Sequence, residues 1–470
     1  MYNISTMSQR RNETENLEEI CLCFSAKRGD STSGHEIRNT YILSASFFFV
    51  FTAYLAIQNL QSSLNQEAGL GVTSLSCLYG FIIISAVLAP TVLKVIGGKL
   101  ALVIAWILHI VYTLSNFYPT FGTLIPSSIL LGLVSGPLWT AQSIYITRNA
   151  YSLADRIGKD AHVLLSRLNG IFFTIYELTQ ISGNIVSSAV LYKSASHSFN
   201  ASSTTCGVND CPAISGNSTV LNQPSSDVVY TMLGVFLVFD VIGLILTATF
   251  LPPLPKSQWT ESSSIKESVT SCFFTFGDMK MLLLVPFISI MAMEQAVLWT
   301  DFTKSYVSCP IGIKMVGFIM AAYGGSTTVS ALVTSRLAKY TGRQVLFAVA
   351  IIIQMSIFVA MFVFYPQGRS DLPYLFIMVV IWGVAEGIWQ TQSNALIGYL
   401  YPENTEPAFA NYHFWKATSF TVYFAISTVL CVKTKLIIVM TLLSVACVLY
   451  VALEVKVFFK QRTANISETK

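Results

Sequence analysis

The chain has 470 residues, of which 53% are hydrophobic and 11% charged, and its formal net charge is +4. Soluble domains carry about 25% charged residues and their cores stop growing near ~250–300 residues. The composition therefore excludes an ordinary soluble enzyme, a disordered chain and a basic nucleic-acid binder, and leaves a polytopic membrane protein.

Residues 1–40 are polar and contain no apolar h-region, so no cleavable signal peptide is expected and the first apolar segment has to target the chain. Cys21 and Cys23, beside Lys27 and Arg28, form a weak palmitoylation signal. A hydrocarbon core of ~30 Å needs about 20 mostly apolar residues per helix. Twelve stretches meet that need, at roughly 41–61, 74–96, 99–117, 121–147, 164–192, 228–251, 281–301, 311–335, 344–365, 372–400, 409–431 and 435–459. They are continuously apolar, not alternating, which argues against barrel strands.

The expected layout is a cytosolic tail over 1–40, a first six-helix bundle over 41–251 with an outer loop at 193–227, and a cytosolic linker over 252–280. A second six-helix bundle over 281–459 and a cytosolic tail over 460–470 follow. The basic residues set the orientation. Of 28 Lys and Arg, 21 fall on the side of the termini, which predicts that both termini are cytosolic. The outer loop carries the sequons Asn200-Ala-Ser202 and Asn217-Ser-Thr219, together with Cys206 and Cys211. An oxidising outer face suits glycans on Asn200 and Asn217 and a disulfide formed by the pair Cys206 and Cys211. The sequons at Asn3, Asn12 and Asn465 are read as chance matches.

The chain repeats itself. The fourth span holds Gly132, Gly136, Trp139, Gln142 and Ser143, and the tenth holds Gly383, Gly387, Trp389, Gln392 and Ser393. Asn169, Phe172 and Phe173 in the fifth span match Asn411, Phe414 and Trp415 in the eleventh. Lys94 and Gly97 match Lys339 and Gly342. Spans 2, 4 and 5 thus correspond to 8, 10 and 11, which is a parallel repeat of two six-helix halves and resembles the plan of the major facilitator superfamily. The loop from Ser335 to Arg343 resembles that superfamily's Gly-x-Leu-x-Asp-Arg-x-Gly-Arg motif, except that Lys339 stands at the acidic position and Tyr340 at the first Arg. Lys94 stands at the acidic position of the first copy. In transporters the acidic residue helps latch the bundles, so its absence from both copies counts against ordinary transport.

No phosphate loop, Gly-x-Ser-x-Gly or His-Glu-x-x-His motif is present, and no metal or cofactor is expected. Charges inside spans are the informative residues, since each costs ~2.5–3.5 kcal/mol at a helix centre on insertion scales. The candidate cavity or coupling residues are Glu386, Lys416, Glu294, Gln392, Trp389 and Gln142. Glu386 shares a helical face with Trp382, Trp389, Gln390 and Ser393, and Lys416 in the next span is a candidate partner. A latch between helices and a cavity lining are equal readings of that pair. Asp301, seven residues after Glu294, is expected to pair with Lys304 or to be solvated. Asp240 and Glu177 have no evident partner, and His109 reads as a packed histidine. The polar run Gln58, Asn59 and Gln61–Ser63 is either a pore-side or partner-facing surface, or the helix leaving the bilayer. The Gly-x-x-x-Gly pairs read as close-packing sites.

Several runs carry a wider resemblance. They are Phe51-Thr-Ala-Tyr54, Leu60-Gln-Ser-Ser-Leu64, Gly69-Leu-Gly-Val-Thr73, Leu124-Ile-Pro, Pro137-Leu-Trp, Cys206-Gly-Val-Asn-Asp-Cys211 and Thr303-Lys-Ser-Tyr306. The second half adds Tyr340-Thr-Gly-Arg343, Trp389-Gln-Thr-Gln392 and Phe409-Ala-Asn-Tyr412 with Trp415. On these the chain resembles the unc-93 family from the first span to the eleventh. The resemblance implies a major-facilitator-like fold at the plasma membrane, embedded in the lipid bilayer. It also implies a role beside partner membrane proteins, since one branch regulates two-pore potassium channels and another escorts Toll-like receptors. It transfers no catalytic or substrate residue. Three functions follow as expectations: a potassium channel regulator acting through helix contacts, a secondary transporter of a small solute, and a trafficking chaperone for receptors.

Overall fold

The computed structural model of the chain describes residues 35–158, 161–192, 206–212, 224–253, 277–401 and 405–468. These form twelve long helices. In the first half they are α1 (His35–Leu64), α2 (Leu70–Ile96), α3 (Gly98–Ser115), α4 (Phe121–Ile157), α5 (Ala161–Tyr192) and α6 (Ser226–Ile245). In the second they are α7 (Met279–Val297), α8 (Val316–Thr341), α9 (Arg343–Val363), α10 (Leu372–Leu400), α11 (Thr405–Ser427) and α12 (Val432–Glu468). The described chain is all-helical with no strand, as expected for backbone that must satisfy its own hydrogen bonds in lipid. Helix α12 runs to Glu468, past the boundary expected at 459. Residues 1–34 of the tail expected over 1–40 and most of the linker, as well as Asn200 and Asn217, lie outside the described residues, while 35–40 belong to α1. The face where α1 begins and α12 ends is the terminal face, and the opposite one is the loop face.

Among the described residues, ten helices are long and apolar enough to cross a membrane by length and composition. Helices α5 and α11 fall short because both carry polar residues mid-length: Glu177, Gln180 and Asn184 in one, Asn411, His413 and Lys416 in the other. They occupy matching places in the repeat, and each packs across the divide between the halves, α5 on α8 and α11 on α2. Elsewhere large apolar side chains face outward, such as Ile352, Val363 and Val448, as helices bathed in lipid require.

The repeat is built from glycine. In the first half α4 packs on α2, and a Cβ added at Gly136 would run into the backbone of Ser85. In the second α10 packs on α8, and a Cβ at Gly387 would meet Ser330 Cβ at 2.6 Å and Ala331 N at 2.7 Å. The Gly-x-x-x-Gly pairs are thus contact points that only a missing side chain permits. Helices α2 and α8 also stop in the same way. Gly97 (φ 78°, ψ 161°) and Gly342 (φ 76°, ψ 152°) adopt nearly the same positive-φ turn, which an L side chain rarely enters.

The polar run at the end of α1 is an interior feature and not a partner-facing surface. Gln58, Asn59, Gln61, Ser62 and Ser63 are all at most 2% exposed. Gln61 Nε2 donates to Tyr112 Oη and Asn116 Oδ1, both at 2.8 Å, and Gln61 Oε1 accepts from Asn65 at 2.7 Å. Asn59 donates to Asn184 Oδ1 at 3.0 Å. Ser62 and Ser63 reach across to the second half, Ser62 to the Thr300 carbonyl at 3.2 Å and Ser63 to Ser308 Oγ at 2.8 Å. Most of these polar groups find partners within the protein, as buried polar groups require, while Gln58 donates to Tyr79 Oη at 3.2 Å and keeps its Oε1 unpartnered.

The disulfide expectation is corrected. Cys206 and Cys211 do not bond each other. Cys206 pairs with Cys309 after α7, and Cys211 with Cys431 between α11 and α12. The turn Gly207–Asn209 between them lays the segment flat on the second half. Gly207 sits at φ 72° against Pro366 and Tyr306, where its missing Cβ leaves room. The two cysteines therefore point to different neighbours, one toward α7 and one toward α12.

Candidate functional site

Helix α7 passes from regular α-geometry into a wider π-helical stretch, Leu298–Ser308. Such widening is frequent at functional sites. The stretch and the turn before it carry three acids or amides of the site: Glu294, Gln295 and Asp301.

Glu294 is 1% exposed and its Oε2 accepts the indole N–H of Trp382 on α10. Glu386, one turn along α10 from Trp382 and also 1% exposed, accepts at Oε1 from the side-chain amide of Gln295. The two carboxyl groups lie within electrostatic reach of each other, and each keeps one buried oxygen, Glu294 Oε1 and Glu386 Oε2, without a hydrogen-bond partner. The ammonium of Lys416 on α11 stands within electrostatic reach of both and over the ring of Tyr412, 5.9 Å from its centre. No ion pair joins Lys416 to Glu386 among the described residues, so the pairing considered from sequence is a through-space attraction and not a contact. From the first half, Glu177 on α5 comes within reach of Glu386 and Lys416. Tyr323 on α8 lies within reach of all three carboxylates. The charged residues of the second half thus meet one acid of the first across the divide. Glu177 and Lys416 keep partial exposure, while Glu294 and Glu386 are sealed behind them.

The other candidates fall elsewhere. Trp389 packs edge-on to Phe287 at 5.2 Å and its indole N–H has no partner. Gln392 bonds locally to Thr391 at 3.4 Å, and Gln142 on α4 accepts from Ser143 at 3.2 Å. Gln142 and Gln392 hold matching, buried places in the two halves, so they report the repeat more than the site. Asp240 accepts from Thr113 at 2.6 Å. Among the described residues no group of three or more metal-ligating side chains occurs.

Sequence reasoning placed Asp301 wrongly. Asp301 does not pair with Lys304 and is not solvated. Its Oδ1 binds the ammonium of Lys435 on α12, and its Oδ2 accepts from Tyr423 on α11 at 2.5 Å. Both ionic side chains are sealed from solvent, Lys435 at 4% and Asp301 at 6% exposure. Lys304 pairs instead with Asp210 of the loop segment at 3.2 Å. In sequence Lys435 reads as one basic residue of a loop. Only the wide turn of α7, which rotates Asp301 inward, brings the pair together.

The first half fills the corresponding space with rings. Phe47 and Phe51 of α1 pack edge-on to Trp106 of α3, at 4.9 and 6.3 Å, and on Trp139 of α4 at 5.5 and 5.3 Å. Tyr176 of α5 closes the group, 5.2 Å from Phe51. His109 lies within it, its Nδ1 2.8 Å from the Ala105 carbonyl, and is a packed residue.

Comparison with known proteins adds four findings. A family model described as "Ion channel regulatory protein UNC-93" matches residues 61–451. Protein unc-93 homolog A of Xenopus laevis is 38% identical over 88% of this chain and 92% of its own. A Caenorhabditis elegans protein, whose name contains the words "potassium channel regulatory protein unc-93", is 30% identical over 88% of this chain and 60% of its own. Among solved structures, the nucleoside transporter NupG superposes with a TM-score of 0.60 at 13% identity, over 90% of this chain and 98% of that one. That likeness establishes the fold: two six-helix halves of the major facilitator type.

Proposed function

The chain belongs to the UNC-93 family, and on that premise we propose that it is a non-enzymatic membrane protein that regulates an ion channel, foremost a two-pore potassium channel, by lying helix against helix beside it. The observation that carries this reading is the family match, which runs from the end of α1 into α12 and so takes in nearly the whole bundle. Two features of the chain support it. The sealed carboxylates Glu294 and Glu386 are already engaged by Trp382 and Gln295. Lys94 and Lys339 replace the acids that latch transporter loops. Co-expression with each two-pore potassium channel should change the current of at least one without solute flux. Unchanged currents across the set would overturn the reading.

A secondary transporter of a small solute is the second reading. It is favoured by the partly exposed Lys416 and Glu177, the first beside the sealed carboxylates in its own half and the second within reach of Glu386 from across the divide. Glu386→Gln should then abolish uptake while sparing surface expression. The receptor-chaperone alternative loses the surface it rested on, because Gln58–Ser63 is buried.

The protein resides in the plasma membrane with both termini cytosolic and the loop face outside. The basic-residue asymmetry supports this orientation, as does the placement of both disulfides on the loop face. Asn200→Gln with Asn217→Gln should remove a glycosidase-sensitive mobility shift. Glycans at Asn3 or Asn12 would invert the topology.

A further inference from the structure

The segment 206–212 crosses the loop face of the second half as a strap with two covalent anchors of unequal exposure. Cys206 and Cys309 are 2% and 5% exposed, so their bridge is shut away from solution. Cys211 is exposed and Cys431 half-buried, so theirs is open to attack. Between them Asp210 ties two helices to the strap. Its carbonyl accepts from Val432 N at 2.9 Å, at the start of α12. Its carboxylate accepts from Ser305 Oγ at 2.6 Å and pairs with Lys304 at 3.2 Å, both on the π-helical continuation of α7.

Cys431 stands three residues past Thr428, where the end of α11 meets the first half. A Cβ on Gly69 would lie 3.5 Å from Thr428 Cγ2. Further into α11, Thr421 and Phe420 touch α2, Phe420 stacking on Tyr79 at 4.6 Å and the Thr421 carbonyl accepting from Ser76 at 3.2 Å. These contacts close the two halves against each other on the loop face. The exposed bridge therefore fixes the end of the helix that makes them, while the sealed bridge holds the strap in place whatever happens to the other.

We propose that Cys211–Cys431 is a thiol–disulfide switch that sets how firmly α11 closes on α2 at the loop face, with Cys206–Cys309 as its permanent anchor. The reductant is an external dithiol of the thioredoxin class. Its thiolate attacks one sulfur of the bridge and forms a mixed disulfide, and its second thiol then displaces the protein sulfur. Two electrons and two protons pass to Cys211 and Cys431, which become thiols, and the dithiol leaves as a cyclic disulfide. With the bridge open, the strap holds the α11–α12 junction only through the bond from Val432 N to the Asp210 carbonyl, and the α11–α2 contact loosens.

The test uses the purified full-length protein and a short pulse of dithiothreitol, followed by alkylation and peptide mapping. Cys211 and Cys431 should become alkylated about tenfold faster than Cys206 and Cys309, because thiol–disulfide exchange follows access. Hydrogen exchange over 69–80 and 420–430 should rise about fivefold in the same pulse, as local opening requires. Cys211→Ser with Cys431→Ser should show the faster exchange without dithiol and should no longer respond to it. Equal opening of the two bridges, or selective opening with exchange unchanged, would overturn the proposal, as would a Cys206–Cys211 peptide in the unreduced map. Should the double variant not fold, the pulse on the native chain decides alone. No partner or solute enters any of these readings, so their failure is separate from failure of the channel-regulation proposal.

Discussion

The two halves share one helix plan but hold their loop-face ends together with different chemistry. In the first, Gln61, Asn65, Tyr112 and Asn116 form a neutral hydrogen-bonded net. In the second, Asp301, Lys435 and Tyr423 form a buried ionic triad. The centre of each half differs in the same sense, rings around Phe51 in one and carboxyl groups around Glu386 in the other. A neutral net tolerates loss of a member at the cost of its own bonds. An ion left alone in a low-dielectric interior costs much more, because its charge has nothing to replace water. The repeat therefore preserves where helices touch and leaves free what they use to stay together.

The sharpest break of this contrast is Lys435→Met. It strands the Asp301 carboxylate and should cost about 3–5 kcal/mol, read as a fall in the thermal unfolding midpoint in detergent. Adding Asp301→Asn should restore most of the loss, and equal instability of the single and double variants would rule out a paired ion. Gln61→Leu is the matching lesion in the first half. It leaves the Tyr112, Asn116 and Asn65 groups short of partners and should cost up to about 3 kcal/mol, less than Lys435→Met. If it costs as much, the distinction between neutral and ionic ends fails. Gly136→Ala and Gly387→Ala should each cost about 1–2 kcal/mol by overpacking, and nearly alike, since both face a helix backbone at matching places. Unequal losses would mean that the halves pack less alike than their glycines suggest. The smallest effect is expected for Glu386→Gln. Its side-chain carbonyl can still accept from Gln295, so stability should move by less than about 1 kcal/mol.

The helices and the repeat were legible because both are local signals. About 20 apolar residues mark a span whatever surrounds it, and Gly132, Gly136, Gly383 and Gly387 sit in short motifs visible within one helix. Glu294, Glu386 and Lys416 were legible as candidates because a charge inside a span is conspicuous. Their partners were not. Asp301 and Lys435 are 134 residues apart, and the tie depends on a π-helical turn that apolar periodicity does not reveal. Cys309 and Cys431 lie 103 and 220 residues from the cysteines they bond, at the ends of apolar runs where a cysteine reads as packing. The buried net around Gln61 escaped for a related reason. A polar run at the end of a span looks like exit into water until the amides and hydroxyls of α3, α5 and α7 are seen to meet it.

The two polar helices bear on how the chain is made. Insertion into a bilayer penalises each helix for its own polar groups, and a central Glu or Lys adds ~2.5–3.5 kcal/mol. Helices α5, with Glu177, and α11, with Lys416, are the ones least able to partition into lipid by themselves. Helix α11 emerges from the ribosome when its mate α2 is long in place. Helix α5 emerges onto α1, which is already in place, but before α8, its partner across the divide, exists. The first half must therefore seat α5 without its partner across the divide until the second is translated. A chain cut between the halves should be a substrate for membrane quality control and not a stable half-bundle.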